Sequence, residues 1–472
     1  MPHIPLLRAG EPYRSLSTRQ LKDVRTGELV TEVSLANAGL IARDLGKTDA
    51  NQARLAEHSV SELLAICRRA ADLLGSADLP LGDSTQSPEL YVEQVSRTTG
   101  LPQALVRGNL EKSCFVLREM ETVLGGLTRG LAPEILDRGW GEQDERVISY
   151  RRESGVLGAV LPSNSPGVHA LWLPAIPFKV TLALRPGSQE PWTPYRIAQA
   201  FIAAGCPREA FGFYPSDHAG AGELLQRCGR SLLYGDTATV APWRGDHRVQ
   251  IHGPGWSKVV LGPGAASDWQ EHRDLIVESV SANGGRSCIN ASGAWTVSQG
   301  RELAAGLAET LAKIEARPLD DPEAQLAAMP SLEAAQRLSD YIDERLAIPG
   351  AEDMSAPLRT SRVAEADGCA FMLPTVIYCS DPGHPLARAE FLFPFVTVVE
   401  VPRDDLVGAL ESSLVVTALT DDETLRRQLL SAPHVERLNL GAMPTNRVAW
   451  DQPHEGNLFE LLYKQRSLQA VG

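Results

Sequence analysis

Apolar residues in the first third of the chain recur at the spacing of an α-helix. In 59–82 they fall at Leu63, Leu64, Cys67, Ala70, Ala71 and Leu74, and the pattern stops at Gly75-Ser76 with Pro80 beyond. The segment 105–127 repeats this pattern and stops at Gly125-Gly126. A helical N-terminal region is the expectation. Past residue 148 the texture changes. Short β-rich runs ended by Gly, Pro or Asp, at 154–163, 178–187, 210–216, 230–236 and 256–264, alternate with amphipathic segments such as 193–205 and 221–229. That alternation predicts an α/β fold with mostly parallel sheets. A second strand-helix alternation occupies 286–435, and 462–471 reads as a final strand.

Composition narrows the class. With 472 residues, 43% hydrophobic and 22% charged, the chain can form two or three domains and is not compositionally disordered. Its 59 acidic against 45 basic residues leave a net charge of -14, which argues against a nucleic acid or an anionic membrane as the main partner. The first residues lack the order of a secretory leader, and no run approaches the ~18 apolar residues of a membrane span. A soluble, cytoplasmic enzyme acting on a small molecule is the expectation. The seven cysteines are scattered, without a CxxC pair, so neither a disulfide framework nor a metal site is expected.

The usual phosphate signatures are missing. There is no Walker loop, and the nearest approach to GxGxxG, Gly262-Pro263-Gly264, lacks the third glycine. Four short stretches carry the chemistry instead. Leu161-Pro162-Ser163-Asn164-Ser165-Pro166 places an amide donor between prolines at a strand end, suited to an oxyanion. Leu184-Arg185-Pro186-Gly187 ends the next strand with a cation where a ribose or phosphate would sit, and Tyr234-Gly235-Asp236 opens a helix. Asn283-Gly284-Gly285-Arg286-Ser287-Cys288 puts a cysteine after a glycine-rich, positively charged turn, and Glu390 precedes the apolar Phe391-Leu392-Phe393-Pro394.

In order and approximate spacing these stretches resemble the aldehyde dehydrogenase superfamily, which includes hydrolytic and CoA-acylating members and long-chain acyl-CoA reductases. The resemblance covers 145 to the end and is weak before it. It implies two doubly wound α/β domains and a small β-flap for oligomerisation. The cofactor-binding domain would be 1–135 and 155–254, the catalytic domain 255–437, and the flap with the C-terminal segment 136–154 and 438–472, giving a homodimer or homotetramer. Cys288 takes the place of the nucleophile, and Asn164 that of the oxyanion donor. Pro162, Ser163, Arg185, Ser188, Gly235, Asp236 and Glu390 fall at cofactor positions. His169 and Trp172 would line the substrate tunnel. Arg286 would lie beside substrate and thiolate, lowering the pKa of the thiol.

One departure bears on the reaction. Where hydrolytic members carry a glutamate in an ELGGK stretch, this chain has His252-Gly253-Pro254-Gly255-Trp256-Ser257-Lys258, with no carboxylate. A general base is commonly worth about 100- to 10,000-fold. Its loss favours an acyl-CoA reductase or CoA-acylating enzyme, with CoA as co-substrate and an aldehyde or acyl thioester as the small-molecule partner. The alternative is hydrolytic oxidation of an aldehyde to its acid, with His252 or a water relay as base. A non-catalytic relative of the fold is the third reading. Arg185, with Ser188 where NAD-strict members carry an acid, makes NADP acceptable beside NAD. Asp236 reads as an N-cap.

Overall fold

The computed structural model describes residues 2–469, so Ala470 and Val471 of the expected last strand lie outside the described residues. Two seven-stranded sheets form the body. The first runs in the order Val249–His252, Arg230–Tyr234, Val156–Val160, Thr181–Arg185, Phe211–Phe213, Leu6–Arg8, Glu11–Tyr13. Its first five strands are parallel, and the N-terminal hairpin joins antiparallel. The second runs Ala351–Asp353, Thr375–Cys379, Phe395–Glu400, Ala291–Thr296, Ser257–Leu261, Ser413–Leu419, Val435–Leu440, parallel except at Ala351–Asp353.

Val156–Val160 and Ser257–Leu261 are buried along their whole length. Helices cover both faces of such parallel strands, so these read as continuous apolar runs without alternation. The chain passes from the first sheet to the second through Gly253–Trp256, which becomes part of the candidate site.

The helix Val60–Ser76 buries all six residues of the predicted face, and Ser59 and Glu62 close a capping box at its start. The 105–127 pattern divides differently from the expectation. One helix covers Gln103–Arg118, the backbone bends at Glu119, and a second helix, Met120–Leu127, runs through the two glycines that read as a stop. A Cβ on Gly126 would lie 2.1 Å from the carbonyl oxygen of Asp451, so this glycine serves a close approach and does not end the helix. The expectation of a helical first third also needs correction, because strands precede the helices between His3 and Ser34. Leu29–Ser34, rich in β-branched residues, is one, paired with Thr18–Lys22 and His3–Ile4.

The two predicted flap segments pair within one chain. Trp140–Gln143 and Arg146–Arg152 form a hairpin, and Tyr463–Gln465 adds antiparallel to Arg146–Arg152. Among the described residues no helix is long and apolar enough to cross a membrane.

Candidate active site

Cys288 lies in the turn between the helix Trp269–Ser281 and the strand Ala291–Thr296. Asn283, Gly284 and Gly285 adopt successive positive φ angles of 53°, 67° and 70°. A Cβ on Gly285 would come within 2.4 Å of the Phe393 carbonyl carbon. The crossover passes directly under the nucleophile: a Cβ on Gly255 would stand 1.8 Å from the Cys288 carbonyl oxygen, which also accepts from Ser257 Oγ at 2.8 Å. Asn283 Nδ2 donates to Ser165 Oγ at 3.0 Å and Ser287 Oγ at 3.1 Å, and its Oδ1 accepts from Asn109 at 2.8 Å. The turn is thereby tied to the loop after the strand Val156–Val160 of the first sheet.

Asn164 meets that turn. One N–H of its amide donates to the Arg286 carbonyl at 2.6 Å, which leaves the second for another acceptor. The Cys288 backbone N–H has no intramolecular acceptor among the described residues. Both are donors of the kind that stabilise an oxygen developing negative charge.

Of the seven cysteines, all free, Cys288 alone is not buried. Its thiol donates to Glu455 Oε1 at 3.1 Å, and Glu455 Oε2 contacts His252 Nδ1. The His252 ring stacks on Tyr234, centroids 4.3 Å apart at 15°, and its buried Nε2 has no partner. Burial opposes ionisation of Glu455, but His252, then His454 and the Cys288 thiol, outweigh it and hold the carboxyl down to about 2. Burial pushes the Cys288 thiol well above its usual range; Glu455 and Glu390 add to this, and Lys112 opposes.

The expected lowering of the thiol pKa by Arg286 is thus corrected. The guanidinium turns away to donate to the carbonyls of Thr99, at 2.7 Å, and Ala328, and fastens the turn from behind. Glu455 also removes the reason for preferring CoA as acyl acceptor. The carboxylate absent from 252–258 is supplied by a loop near the C terminus. Sequence reasoning missed Glu455, and with it Lys112, Arg437 and His454. The polar run Gln452-Pro453-His454-Glu455-Gly456 was its one signal, and nothing in linear spacing connects that run with Cys288.

The cofactor candidates gather at one edge. In the first sheet the chain runs outward from Val156–Val160 in one direction, then returns to place Arg230–Tyr234 on its other side. The crevice at such a reversal, beyond the carboxyl ends of the strands, is where open α/β sheets take nucleotides. Pro162, Ser163, Arg185 and Gly235 follow or end these strands. Arg185 Nη2 donates to the Ser216 carbonyl at 3.0 Å, while its buried Nε has no partner. Ser163 Oγ accepts from the Gln189 N–H at 3.1 Å, and Ser188 beside it is exposed. Asp236 caps the single turn Thr237–Val240 through the Thr239 N–H. Strand topology and the free Arg185 Nε fit a dinucleotide here.

Glu390 is placed differently from the expectation at a ribose. Its oxygens accept from the Gly255 and Trp256 N–H groups, at 3.1 and 2.5 Å, so it fastens the crossover below Cys288. Burial raises its carboxyl to about 7 against the pull of those amides and Lys258. His169 and Trp172 are also corrected. Both are fully buried, with His169 Nε2 2.9 Å from Glu190 and Trp172 Nε1 donating to His169 Nδ1 at 3.2 Å. The same segment turns Ala170 and Leu171 toward a small cavity of about 40 Å³, whose walls include His252, Trp450, His454 and Glu455.

Comparison with known proteins places this geometry in context. The model of the aldehyde dehydrogenase family matches residues 14–411. The "Putative succinate-semialdehyde dehydrogenase" of Mycolicibacterium smegmatis, whose name specifies NADP(+), is 21% identical over 90% of this chain and 81% of its own. The "Aminoacetaldehyde dehydrogenase" of Pseudomonas aeruginosa is 26% identical over 57% of this chain and 55% of its own. Among solved structures, the aldehyde dehydrogenase KauB of Pseudomonas aeruginosa superposes with a TM-score of 0.79 at 16% identity, over 99% of this chain and 96% of that one. An indole-3-acetaldehyde dehydrogenase solved with NAD+ gives 0.78 at 16%, over 99% and 96%.

Proposed function

The chain belongs to the aldehyde dehydrogenase family, and from that premise we propose that it oxidises a small aldehyde to its carboxylic acid with NAD or NADP, the acyl group passing through Cys288. The observation that carries this reading is the Glu455 carboxylate between the Cys288 thiol and His252. In balance, aldehyde, water and oxidised cofactor give carboxylate, reduced cofactor and two protons.

Cys288 Sγ attacks the carbonyl carbon while its proton leaves toward Glu455 and His252. The Asn164 amide and the Cys288 backbone N–H receive the carbonyl oxygen as it becomes negative. Arg185, Ser163 and the Gly235 turn would hold the dinucleotide, whose nicotinamide takes up the hydride. The resulting thioester on Cys288 is then attacked by water. His252, oriented by Glu455, takes a proton from that water through its unpartnered Nε2. A thiol acceptor would need no such pair, and so the pair favours water over CoA. Arg185 without an acid at Ser188 supports NADP beside NAD. The relatives' names, both of small polar aldehydes, agree with a small substrate. The outer flap strand Trp140–Gln143, paired on one side only, supports a homodimer or homotetramer.

The test is to supply an aldehyde panel and NAD(P)+ with and without CoA, and identify the product by mass. Free acid formed at a rate indifferent to CoA is expected. Acyl-CoA as the main product would overturn the proposal. His252→Ala should cut steady turnover by about 100- to 10,000-fold yet leave an initial burst of reduced cofactor equal to the enzyme present. A variant that turns over at the wild-type rate would remove His252 from the mechanism.

A further inference from the structure

The strands Arg230–Tyr234 and Val249–His252 pair in register, which sets Tyr234 directly beside His252 on one face of the sheet. Both residues are more than nine-tenths buried, and their rings stack with centroids 4.3 Å apart. Two polar atoms of this stack, the Tyr234 hydroxyl and His252 Nε2, have no intramolecular partner among the described residues. A buried polar group left so is costly, and a water that meets several such groups removes the cost. The same face borders the small cavity beside Glu455. Leu232 and Gln250, each two residues earlier on its strand and so on the same side, line that cavity together with His252 and Glu455. One water needs roughly 10–15 Å³ on this measure. The cavity's volume of about 40 Å³ therefore has room for about three.

The surroundings fix what each group can do. His252 Nδ1 meets the Glu455 carboxylate, so the neutral ring carries its proton on Nδ1 and offers a lone pair at Nε2. Burial, followed by the charges of Glu455 and Cys288, holds the Tyr234 phenol well above its usual range. It stays a neutral hydroxyl, able to accept a hydrogen bond as well as donate one.

We propose that Tyr234 Oη and His252 Nε2 together hold the water that attacks the thioester, each accepting a hydrogen bond from it, which leaves a lone pair of that water free for the acyl carbon. This rests on the hydrolytic reading above and adds a second group that binds its water. As the water oxygen bonds the acyl carbon, one of its protons passes to Nε2 and the other stays with the acid. The C–S bond breaks, the acid leaves, and a proton returns to the Cys288 sulfur through Glu455.

Tyr234→Phe removes the hydroxyl and keeps the stack. Wild type and variant are acylated with one equivalent of whichever aldehyde in the panel above reduces NAD(P)+ fastest, and the adduct on Cys288 is followed by intact-protein mass spectrometry. In the variant its hydrolysis should slow about 3- to 10-fold, the worth of one hydrogen bond, while cofactor reduction keeps the wild-type rate. Hydroxylamine, added once the aldehyde is spent, brings its own nucleophilic nitrogen and should cleave both adducts equally fast. Only acylated protein is counted, so a loss of folded enzyme cancels. Hydrolysis at the wild-type rate, or hydrolysis and hydroxylamine cleavage slowed alike, would overturn the water site and leave the hydrolytic reading standing. An aldehyde panel that yields no free acid from the wild type would sink both.

Discussion

Glu455→Gln separates two consequences of one carboxylate. At 3.1 Å from Sγ, the ionised carboxyl opposes formation of the thiolate, and the amide that replaces it keeps the shape without the charge. Two unit charges 4 Å apart interact by about 4 kcal/mol at an effective dielectric near 20. Removing that repulsion multiplies the thiolate population by about 1,000, since 1.36 kcal/mol is tenfold. A less basic thiolate is also a weaker nucleophile, with a Brønsted slope of about 0.4–0.5, so the net gain in alkylation rate is about 30- to 60-fold. The same substitution disconnects His252 from the thiol and should reduce acid formation by about 100-fold or more. Iodoacetamide alkylation followed by mass spectrometry between pH 6 and 9, beside steady-state assays, reads both. Faster alkylation with slower turnover is the expected pair. Unchanged or slower alkylation would refute the idea that Glu455 holds the resting thiol protonated.

Gly255→Ala puts a methyl 1.8 Å from the Cys288 carbonyl oxygen, so the turn must shift; a displacement near 1 Å commonly costs about 100-fold in rate. Turnover should collapse while the melting temperature moves by a few degrees, and an unaffected kcat would contradict the close approach. Glu390 predicts a pH effect on stability. Its carboxyl is raised from 4.5 to about 7 in the fold, so no penalty exists below pH 4.5, and the native state loses about 3 kcal/mol as pH rises from 4.5 to 7. Glu390→Gln has no such ionisation. The variant's urea midpoint should therefore gain on the wild type's between pH 5 and 7.5. Parallel pH profiles would show that Glu390 is not buried uncharged.

What was legible in the sequence follows from what is local. Cys288 was recognisable because three successive left-handed residues demand Asn and Gly before it. The sheets were recognisable because strands buried on both faces have no polar positions, as in Ser257–Leu261. The N-terminal strands were not, since pieces as short as His3–Ile4 and Leu6–Arg8 have too few residues to show a period. His169 and Arg286 were placed correctly along the chain and misread in direction. A buried histidine facing Glu190 and an arginine holding two carbonyls look, in sequence, like a tunnel wall and an activating charge. Direction is decided by residues far away, at Glu190, Thr99 and Ala328.

The same distance explains the carboxylate. A glutamate within 252–258 would travel with the crossover, whereas Glu455 arrives on the stretch between Leu440 and Leu458, and its relay with His252 exists only while that stretch is seated. The seat is specific. Gly126 admits the Asp451 backbone where any side chain would collide, Asn457 Nδ2 donates to the Leu127 carbonyl at 2.8 Å, and Gly456 packs against Gln250. Two of these contacts come from the end of the helix Met120–Leu127, so the glycines that imitate a helix stop help to place the carboxylate beside the thiol. The poorly recognised N-terminal helices and the C-terminal loop are therefore one unit with respect to chemistry. The first provides the surface on which the second can present Glu455, Trp450 and His454 to Cys288.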